Sequence, residues 1–147
     1  MTVKYEIVRM PSDSKKMSEL LEEFTPFLDA MYSDSDKELF GDVNFLLDYW
    51  LFLWDTGTGF FLTKRNSSGD LLMVAVLTKY RDIWHGRERL EVHRTALARV
   101  PDLNEDKEIE DMIEYLISVA TIMGFEFLYY NTRDVKGNEH KELMWIS

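Results

Sequence analysis

The stretch ERLEVHRTALARVPDLNEDKEIEDMIEYLISVATIMGFEFLYYNT, from Glu88 to Thr132, predicts a strand, a helix and a second strand in direct succession. The helix is indicated by apolar residues at helical spacing, namely Ile109, Met112, Ile113, Leu116, Ile117, Ala120 and Met123. Gly124 follows as a helix stop, and FEFLYYNT then has the composition of a strand. Because a crossover of this kind joins parallel neighbours in one sheet, we expect the two strands to be parallel.

The strand that precedes this helix alternates apolar and polar residues. Leu90 and Val92 are predicted to lie on one face of the sheet. The other face is predicted to carry Glu91, His93 and Thr95. One face of this strand should therefore join the core, while the other carries polar groups.

Upstream of this stretch, the pattern predicts one more strand, two helices and two further strands. VKYEIVRM alternates as the first strand. The first helix has its apolar residues at helical spacing, at Met17, Leu20, Leu21, Phe24 and Leu28, and Pro26 should kink or end it. SDSDKE is interpreted as a polar joint that leads to Asp42, the cap of the second helix VNFLLDYWLFLW. GFFLTKR and LLMVAVLTKYRDIW then form an antiparallel meander with ERLEVHRTALARV, through the turns NSSGD and HGR.

The tail RDVKGNEHKELMWIS leaves room for a polar turn and one short strand at ELMWI. The sequence has no repeat, low-complexity tract or linker, so residues 1–147 are predicted to form a single domain. The order of the elements predicts an α+β fold. In this fold a mixed sheet carries helices on both faces and is truncated in its C-terminal part.

The composition is that of an acidic chain with enough apolar residues for a core. Hydrophobic residues make up 46%, the formal net charge is -10, and there is no cysteine. Because binding to nucleic-acid phosphates needs a basic surface, we expect no nucleic-acid partner. The three scattered histidines and the missing cysteines predict no metal site. The sequence shows neither a signal-peptide pattern nor an apolar run that could cross a bilayer, which predicts a cytoplasmic protein without a membrane partner.

The junction between the strand and the helix is acidic, although such junctions often bind phosphate. Residues 102–114 contain seven acids and one base, Lys107. Acids in the first turn stabilise a helix by about 0.3–1 kcal/mol each, because they face the positive end of its dipole. The same acids would repel a phosphate by roughly 1 kcal/mol each in a wet site. The sequence therefore favours the helix start over an anion site.

In its order of elements the chain resembles the GNAT family of N-acetyltransferases, over residues 3 to about 131. ALARVPD stands where the family has a hydrophobic strand that ends in Val-x-Pro-like residues. GF followed by EFLYYN is similar to the family's step from helix to strand, beyond which an asparagine or tyrosine is common. A small acidic chain of this kind also resembles GNAT-like proteins of tailed phages, which would place it in the cytoplasm of the host.

The resemblance implies a site for acetyl-CoA. The family binds the pyrophosphate with a loop of the pattern Arg/Gln-x-x-Gly-x-Gly/Ala, and here that loop reads DLNEDKEIED, without glycine or arginine. Asn104 stands near the expected Arg or Gln, and Lys107 stands near the glycines. The residues implied to contact acetyl-CoA are Leu97, Ala98, Arg99 and Val100, whose backbone would pair with the pantetheine arm, and Asn104, Lys107 and Asn131.

Acetyl transfer needs a base that takes a proton from the amine and an acid that protonates the departing thiolate. The resemblance implies Glu91 as the base, with His93 as a second positional match, and Tyr129 or Tyr130 as the acid. The pattern also allows structural roles for these residues. Glu91 would then lie on a solvated strand face, the tyrosines would pack in the core, and Asn131 would cap the next turn.

Two functions are left open. The first is transfer of an acetyl group from acetyl-CoA to an amine of a protein or small molecule. The second is a non-catalytic scaffold that has lost the pyrophosphate loop and binds a protein through its acidic surface, as an inhibitory or phage accessory protein. The short C-terminal part with an exposed last strand would suit a homodimer formed by strand pairing.

Overall fold

The computed structural model of the chain describes residues 4–27, 32, 34–41, 44–81, 86, 88–98, 103–133 and 139–145. Its strands and helices, in chain order, are β1 (Lys4–Arg9), α1 (Ser14–Phe24), a 3-10 turn (Thr25–Phe27), α2 (Asp34–Phe40), α3 (Asn44–Thr56), β2 (Gly59–Arg65), β3 (Leu71–Arg81), β4 (Glu88–Leu97), α4 (Glu105–Met123), β5 (Phe127–Arg133) and β6 (Glu139–Trp145).

The six strands form one sheet in the order β1-β2-β3-β4-β5-β6. Each pair of neighbours is antiparallel except β4 and β5, which are parallel and are joined through α4. The predicted α+β fold with a mixed sheet is therefore confirmed, and so is the parallel pair. Strand β6 begins at Glu139 and is therefore longer than the short strand that the sequence predicts at ELMWI.

Helices cover both faces of the sheet, as predicted. Successive residues of a strand point to opposite faces, so each strand can supply side chains to both cores. One core contains Phe61, Val74 and Val76 of the sheet together with Met17 and Trp50 of helices α1 and α3. The core on the other face is built by β-strand and α4 residues, chiefly Leu62, Met73, Ala75, Leu77, Leu90, Val92, Met112, Leu116, Ala120 and Leu128. Each of the larger side chains among them, such as leucine, valine or methionine, stabilises the fold by roughly 1.5–3 kcal/mol when fully buried.

The helices begin and end at residues with clear local reasons. The side chain of Asp13 accepts the N–H of Lys15 at 2.9 Å and caps α1. That helix ends at Phe24, and Pro26 lies in the 3-10 turn that follows, as its missing N–H predicts. Helix α4 ends at Gly124, which has a φ of 81° and donates its N–H back to Ala120 and Thr121. The predicted stop at Gly124 is confirmed.

A bulge in β4 changes which side chains share a face. Val92 aligns with Leu77 and Arg94 aligns with Val76, so His93 is an extra residue on the β4 side. The extra residue reverses the alternation, and Thr95 therefore lies on the α4 face, where its hydroxyl donates to Met112 Sδ at 3.9 Å. The prediction that Thr95 shares a face with Glu91 is wrong for this reason.

One predicted connection is also wrong. The sequence predicts a joint at SDSDKE, but residues from Asp34 onward form the short helix α2. The local pattern of serine and aspartate does not predict this helix, because those residues are also typical of turns and caps. Asp42, the predicted cap of the next helix, lies outside the described residues.

Within the described residues, no helix is both long enough and apolar enough to cross a membrane.

Candidate functional site

Strands β4 and β5 are paired over only part of their length. Their register runs from Arg89↔Phe127 to Val92↔Tyr130, whereas β4 continues to Leu97. The bulge at His93 lies directly after the last pair, and bulges bend the strand that carries them. Within the described residues, the two strands are therefore not paired beyond Val92. The unpaired stretch between β4 and β5 is called the β4–β5 cleft below.

The edge of β4 that faces this cleft carries backbone hydrogen-bonding groups. The N–H of Ala98 donates to the carbonyl of Leu72 at 2.8 Å, on the β3 side. Because neighbouring residues of a strand direct their N–H groups to opposite sides, the N–H of Leu97 points toward the cleft. The N–H of Leu97 is thus directed to the side where strand-like pairing is predicted, whereas the N–H of Ala98 is used on the β3 side. Arg99 and Val100 lie outside the described residues.

The start of α4 is organised to satisfy the helix itself. Asn104 is its N-cap, and its side-chain oxygen accepts the N–H of Lys107 at 3.2 Å. The carbonyl of Asn104 accepts the N–H of Glu108 at 3.0 Å. The first turn carries Glu105, Asp106 and Glu108, which complement the helix dipole. The side-chain oxygen of Asn104 therefore already accepts one of the N–H groups that an anion at this terminus would use.

Glu108 is held by an ion pair beneath the helix. Its carboxylate lies 2.5 Å from Lys64 Nζ of strand β2, and the two side chains are 18% and 7% exposed, respectively. The same ammonium lies over the ring of Tyr5, 5.0 Å from its centroid. Tyr5 in turn stacks on Tyr115 of α4, with ring centroids 4.6 Å apart. These contacts tie the first turns of α4 to strands β1 and β2.

The ionisation of Tyr5 and Lys64 reflects this setting. Burial raises the pKa of Tyr5, the nearby Lys64 opposes that effect, and Glu108 and Asp111 reinforce it. Burial alone lowers the pKa of Lys64, but its contacts with Glu108 and Tyr5 outweigh this and leave the pKa above its ordinary value of 10.5. Lys64 is therefore a protonated partner of Glu108 at neutral pH.

On the opposite face of the sheet, the structure brings Glu91 and Tyr129 together. They are direct neighbours in the register of β4 and β5, one pair before the cleft opens. Arg89 Nη2 lies 3.4 Å from Glu91 Oε2, and the guanidinium lies 5.0 Å from the centroid of the Tyr129 ring. The ring of Tyr80, from β3, lies 4.6 Å from the guanidinium. A carboxylate, a phenol and a guanidinium therefore meet beside the cleft.

The other residues suggested by the sequence are distributed differently. Tyr130 packs against the core on the α4 face, so the sheet separates it from Glu91 and Tyr129. The backbone of Asn131 aligns with Lys141 of β6, and its side chain is outside the described part of the chain. The same holds for the side chain of His93, whose backbone forms the bulge. Lys107 is exposed on the first turn of α4.

Sequence reasoning missed two charged residues that organise this region, Arg89 and Lys64. A signal for Arg89 was present, because residues two apart on a strand share a face and Arg89 precedes Glu91 by two. Lys64 gave no comparable signal, since its partner Glu108 is 44 residues away along the chain. Only the packing of α4 on the sheet brings these two residues together.

The described residues fit one part of acetyl-CoA better than the other. The open edge of β4 offers backbone groups of the kind that a pantetheine arm needs. The first turn of α4, by contrast, presents Glu105 and Asp106 to a diphosphate together with one cation, the exposed Lys107, while its third acid, Glu108, is paired with Lys64. For a metal ion, no group of three or more His, Asp or Glu side chains with suitable geometry occurs in the part of the chain that the structure describes.

The fold was compared with known proteins. No protein-family model matches the sequence, and no curated protein matches it. Among solved structures, a ribosomal-protein-alanine N-acetyltransferase from Brucella melitensis biovar Abortus 2308 is similar, with a TM-score of 0.57 and 17% identity, over 91% of this chain and 82% of the other. A GNAT family acetyltransferase from Staphylococcus aureus has a TM-score of 0.56 and 10% identity, over 94% of this chain and 92% of the other.

A third similar structure is described as a predicted acetyltransferase from Clostridium acetobutylicum with acetyl-CoA. Its TM-score is 0.53 at 12% identity, and the match covers 93% of this chain and 84% of the other. At such low identities these likenesses concern the fold. The chain therefore has the fold of GNAT acetyltransferases over most of its length.

Proposed function

We propose that this chain is an N-acyltransferase of the GNAT type, which transfers an acetyl group from acetyl-CoA to an amine of a protein or small molecule. The observation that carries this proposal is the β4–β5 cleft, which opens directly after the pair Val92↔Tyr130 in a chain with the GNAT fold. Glu91 and Tyr129 stand one pair before the opening.

In the proposed reaction, acetyl-CoA supplies an activated acetyl group as its thioester. The backbone of β4 at Leu97 holds the pantetheine arm by strand-like pairing. The amine nitrogen attacks the carbonyl carbon and the carbon–sulfur bond breaks. Glu91 accepts the proton that the amine loses, and Tyr129 donates a proton to the departing sulfur. Holding both partners side by side in the cleft supplies the proximity that such a transfer requires.

The proposal is tested first by isothermal titration of the protein with acetyl-CoA and with CoA, at low and moderate salt. We expect binding in the micromolar range. Because the acids of α4 repel the diphosphate, binding should weaken little, or even tighten, when salt screens that repulsion. Absence of binding up to millimolar ligand at both salt concentrations would end the proposal.

The roles of the two residues are tested in an acetylation assay with a panel of amines. Glu91→Gln and Tyr129→Phe should each lower kcat by roughly 10²-fold or more, as is typical when a general base or acid is removed. Glu88→Gln is the matched control for the first change, since Glu88 lies on the same strand and is 61% exposed. Tyr130→Phe is the control for the second, because Tyr130 lies on the other face of the sheet.

A second function, that of a protein-binding scaffold without catalysis, is favoured by one specific observation. The helix start that would receive the diphosphate is capped by Asn104 and carries Glu105 and Asp106. An acidic surface of this kind suits a basic protein partner, whose association would weaken steeply as salt rises. The same titration separates the two functions, because a scaffold that has lost the cofactor binds neither acetyl-CoA nor CoA.

A further inference from the structure

Arg89 stands at the centre of the group of side chains beside the β4–β5 cleft. Its guanidinium carbon lies 4.6 Å from the ring centroid of Tyr80 and 5.0 Å from that of Tyr129. Its Nη2 lies 3.4 Å from a carboxylate oxygen of Glu91. The side chains of Arg89 and Glu91 are only 20% and 13% exposed. One arginine therefore contacts strands β3 and β5 and a carboxylate of its own strand.

The strand register explains why these four residues meet. Tyr80 aligns with Arg89 across β3 and β4, and Glu91 aligns with Tyr129 across β4 and β5. Arg89 and Glu91 are two apart on one strand, so both side chains leave the same face. The four side chains occupy neighbouring positions on the sheet, and Arg89 is the one that touches the other three.

The chemistry of the guanidinium suits a positioning role. It is planar and permanently charged, stacks on aromatic rings and offers several N–H donors in a fixed arrangement. Rings on both neighbouring strands restrict its rotation, so the carboxylate that it contacts is restricted as well. A lysine would keep the charge but would lose the stacking plane and the fixed donor geometry.

We propose that Arg89 is a positioning residue for the acyl transfer, which fixes the carboxylate of Glu91 and the ring of Tyr129 at the edge of the β4–β5 cleft. This inference rests on the proposed function, because it assigns Arg89 a role through the proposed base and acid. Arg89 acts through its neighbours and does not itself take or give a proton.

The neighbouring ion pair provides a matched control. Arg81 and Glu88 also align across β3 and β4, but their charged atoms are 3.9 Å apart and the side chains are 71% and 61% exposed. An exposed pair of this kind constrains its members weakly. Arg81→Met thus removes an arginine from the same two-strand region without touching the proposed site.

The test is a double-mutant cycle of Arg89→Met and Glu91→Gln, read as kcat and KM in the acetylation assay. Arg89→Met should lower kcat by roughly 10- to 100-fold, the scale of loss when a catalytic group is misplaced. The KM for acetyl-CoA should change by less than about twofold, because Arg89 is not assigned a contact with the donor. In the Glu91→Gln background, Arg89→Met should lower kcat by a clearly smaller factor than in the wild-type background, because only its effect on the Tyr129 ring is left.

Conservative substitution adds an independent readout. Arg89→Lys should retain an intermediate kcat, above that of Arg89→Met, because the charge near Glu91 is kept while the stacking is lost. Arg81→Met should leave kcat and KM unchanged. If Arg89→Met does not fold, Tyr80→Leu replaces it in the cycle, because this change removes one ring against Arg89 and leaves the ion pair with Glu91.

The outcomes distinguish a failure of the positioning role of Arg89 from a failure of the proposed acyltransferase function. Losses that add in full in the double variant, or a fall in kcat for Arg81→Met equal to that for Arg89→Met, would overturn the positioning role while the acyltransferase function stands. A wild-type protein that neither binds nor consumes acetyl-CoA would refute the proposed function, and the role of Arg89 in it would fall at the same time.

Discussion

Two partly buried ion pairs lie on opposite faces of the same sheet, and they differ in the elements that they connect. Lys64 and Glu108 join strand β2 to helix α4, and their side chains are 7% and 18% exposed. Arg89 and Glu91 are two residues apart on strand β4, and their side chains are 20% and 13% exposed. The first pair spans two elements that the chain must bring together. The second orients side chains within an element that is already formed.

One pair serves the architecture of the fold, and the other serves the proposed chemistry. The pair on the α4 face lies against the ring of Tyr5 and is largely shielded from water, so loss of one partner leaves a charge in poor contact with water. The pair on the other face lies beside the cleft and between tyrosine rings. Changes to the first pair should therefore appear as lost stability, and changes to the second as lost activity.

The largest expected effect on stability comes from Lys64→Met, which leaves the Glu108 carboxylate without its cation. We expect the free energy of unfolding in urea to fall by about 3 kcal/mol, at the lower end for a broken buried pair because Glu108 is partly exposed. The double variant Lys64→Met/Glu108→Leu should recover most of that loss, since it removes the stranded charge. A double variant as unstable as the single one would show that the pair itself, and not the unpaired charge, is what matters.

Arg89→Met should cost less stability, about 1–2 kcal/mol, although it is expected to lower kcat strongly. The change removes two ring contacts and an ion pair that is longer than that of Lys64 with Glu108, at 3.4 Å against 2.5 Å. Urea unfolding of Arg89→Met beside Lys64→Met gives the comparison directly. An equal or larger loss for Arg89→Met would mean that the two pairs are alike, and would contradict the division between architecture and chemistry.

Removing the cap of α4 tests whether its first turn is built for the helix. Asn104→Ala should lower the free energy of unfolding by about 1 kcal/mol, because the N–H of Lys107 loses its acceptor. Asp13→Ala, at the start of α1, is the matched control and should cost a similar amount. Thermal or urea unfolding measures both, and no change for Asn104→Ala would show that the cap is not a determinant of α4.

The smallest expected effect comes from alkaline pH. Tyr5 and Lys64 both have a pKa above their ordinary values of 10.0 and 10.5 in the folded chain, so the folded chain holds these protons more tightly than the unfolded chain. Their contribution to stability is complete below those values and is lost as pH rises through the raised pKa values. Unfolding between about pH 9 and about pH 11 should therefore show a fall in stability. The fall should be shallower in Tyr5→Phe/Lys64→Met/Glu108→Leu, and identical slopes would contradict this assignment.

The sequence alone predicted most of the fold, because its signals are local. The helical spacing from Ile109 to Met123, the stop at Gly124 and the crossover rule were enough to predict α4 and the parallel pair β4–β5. They also placed Glu91 and Tyr129 on strands that turn out to be neighbours. The short helix α2 was missed because its serines and aspartates are equally typical of a loop.

The details of the site depend on contacts between residues that are far apart along the chain. The bulge at His93 depends on the register against β3, and it moved Thr95 to the face opposite the predicted one. The contact of Lys64 with Glu108 needs α4 to pack on the sheet, and the position of Arg89 between Tyr80 and Tyr129 needs three strands in register. The alternation of a strand is a property of neighbouring residues and can be read along the chain. Register and packing depend on residues far apart in sequence, and one extra residue is enough to reverse every face that follows it.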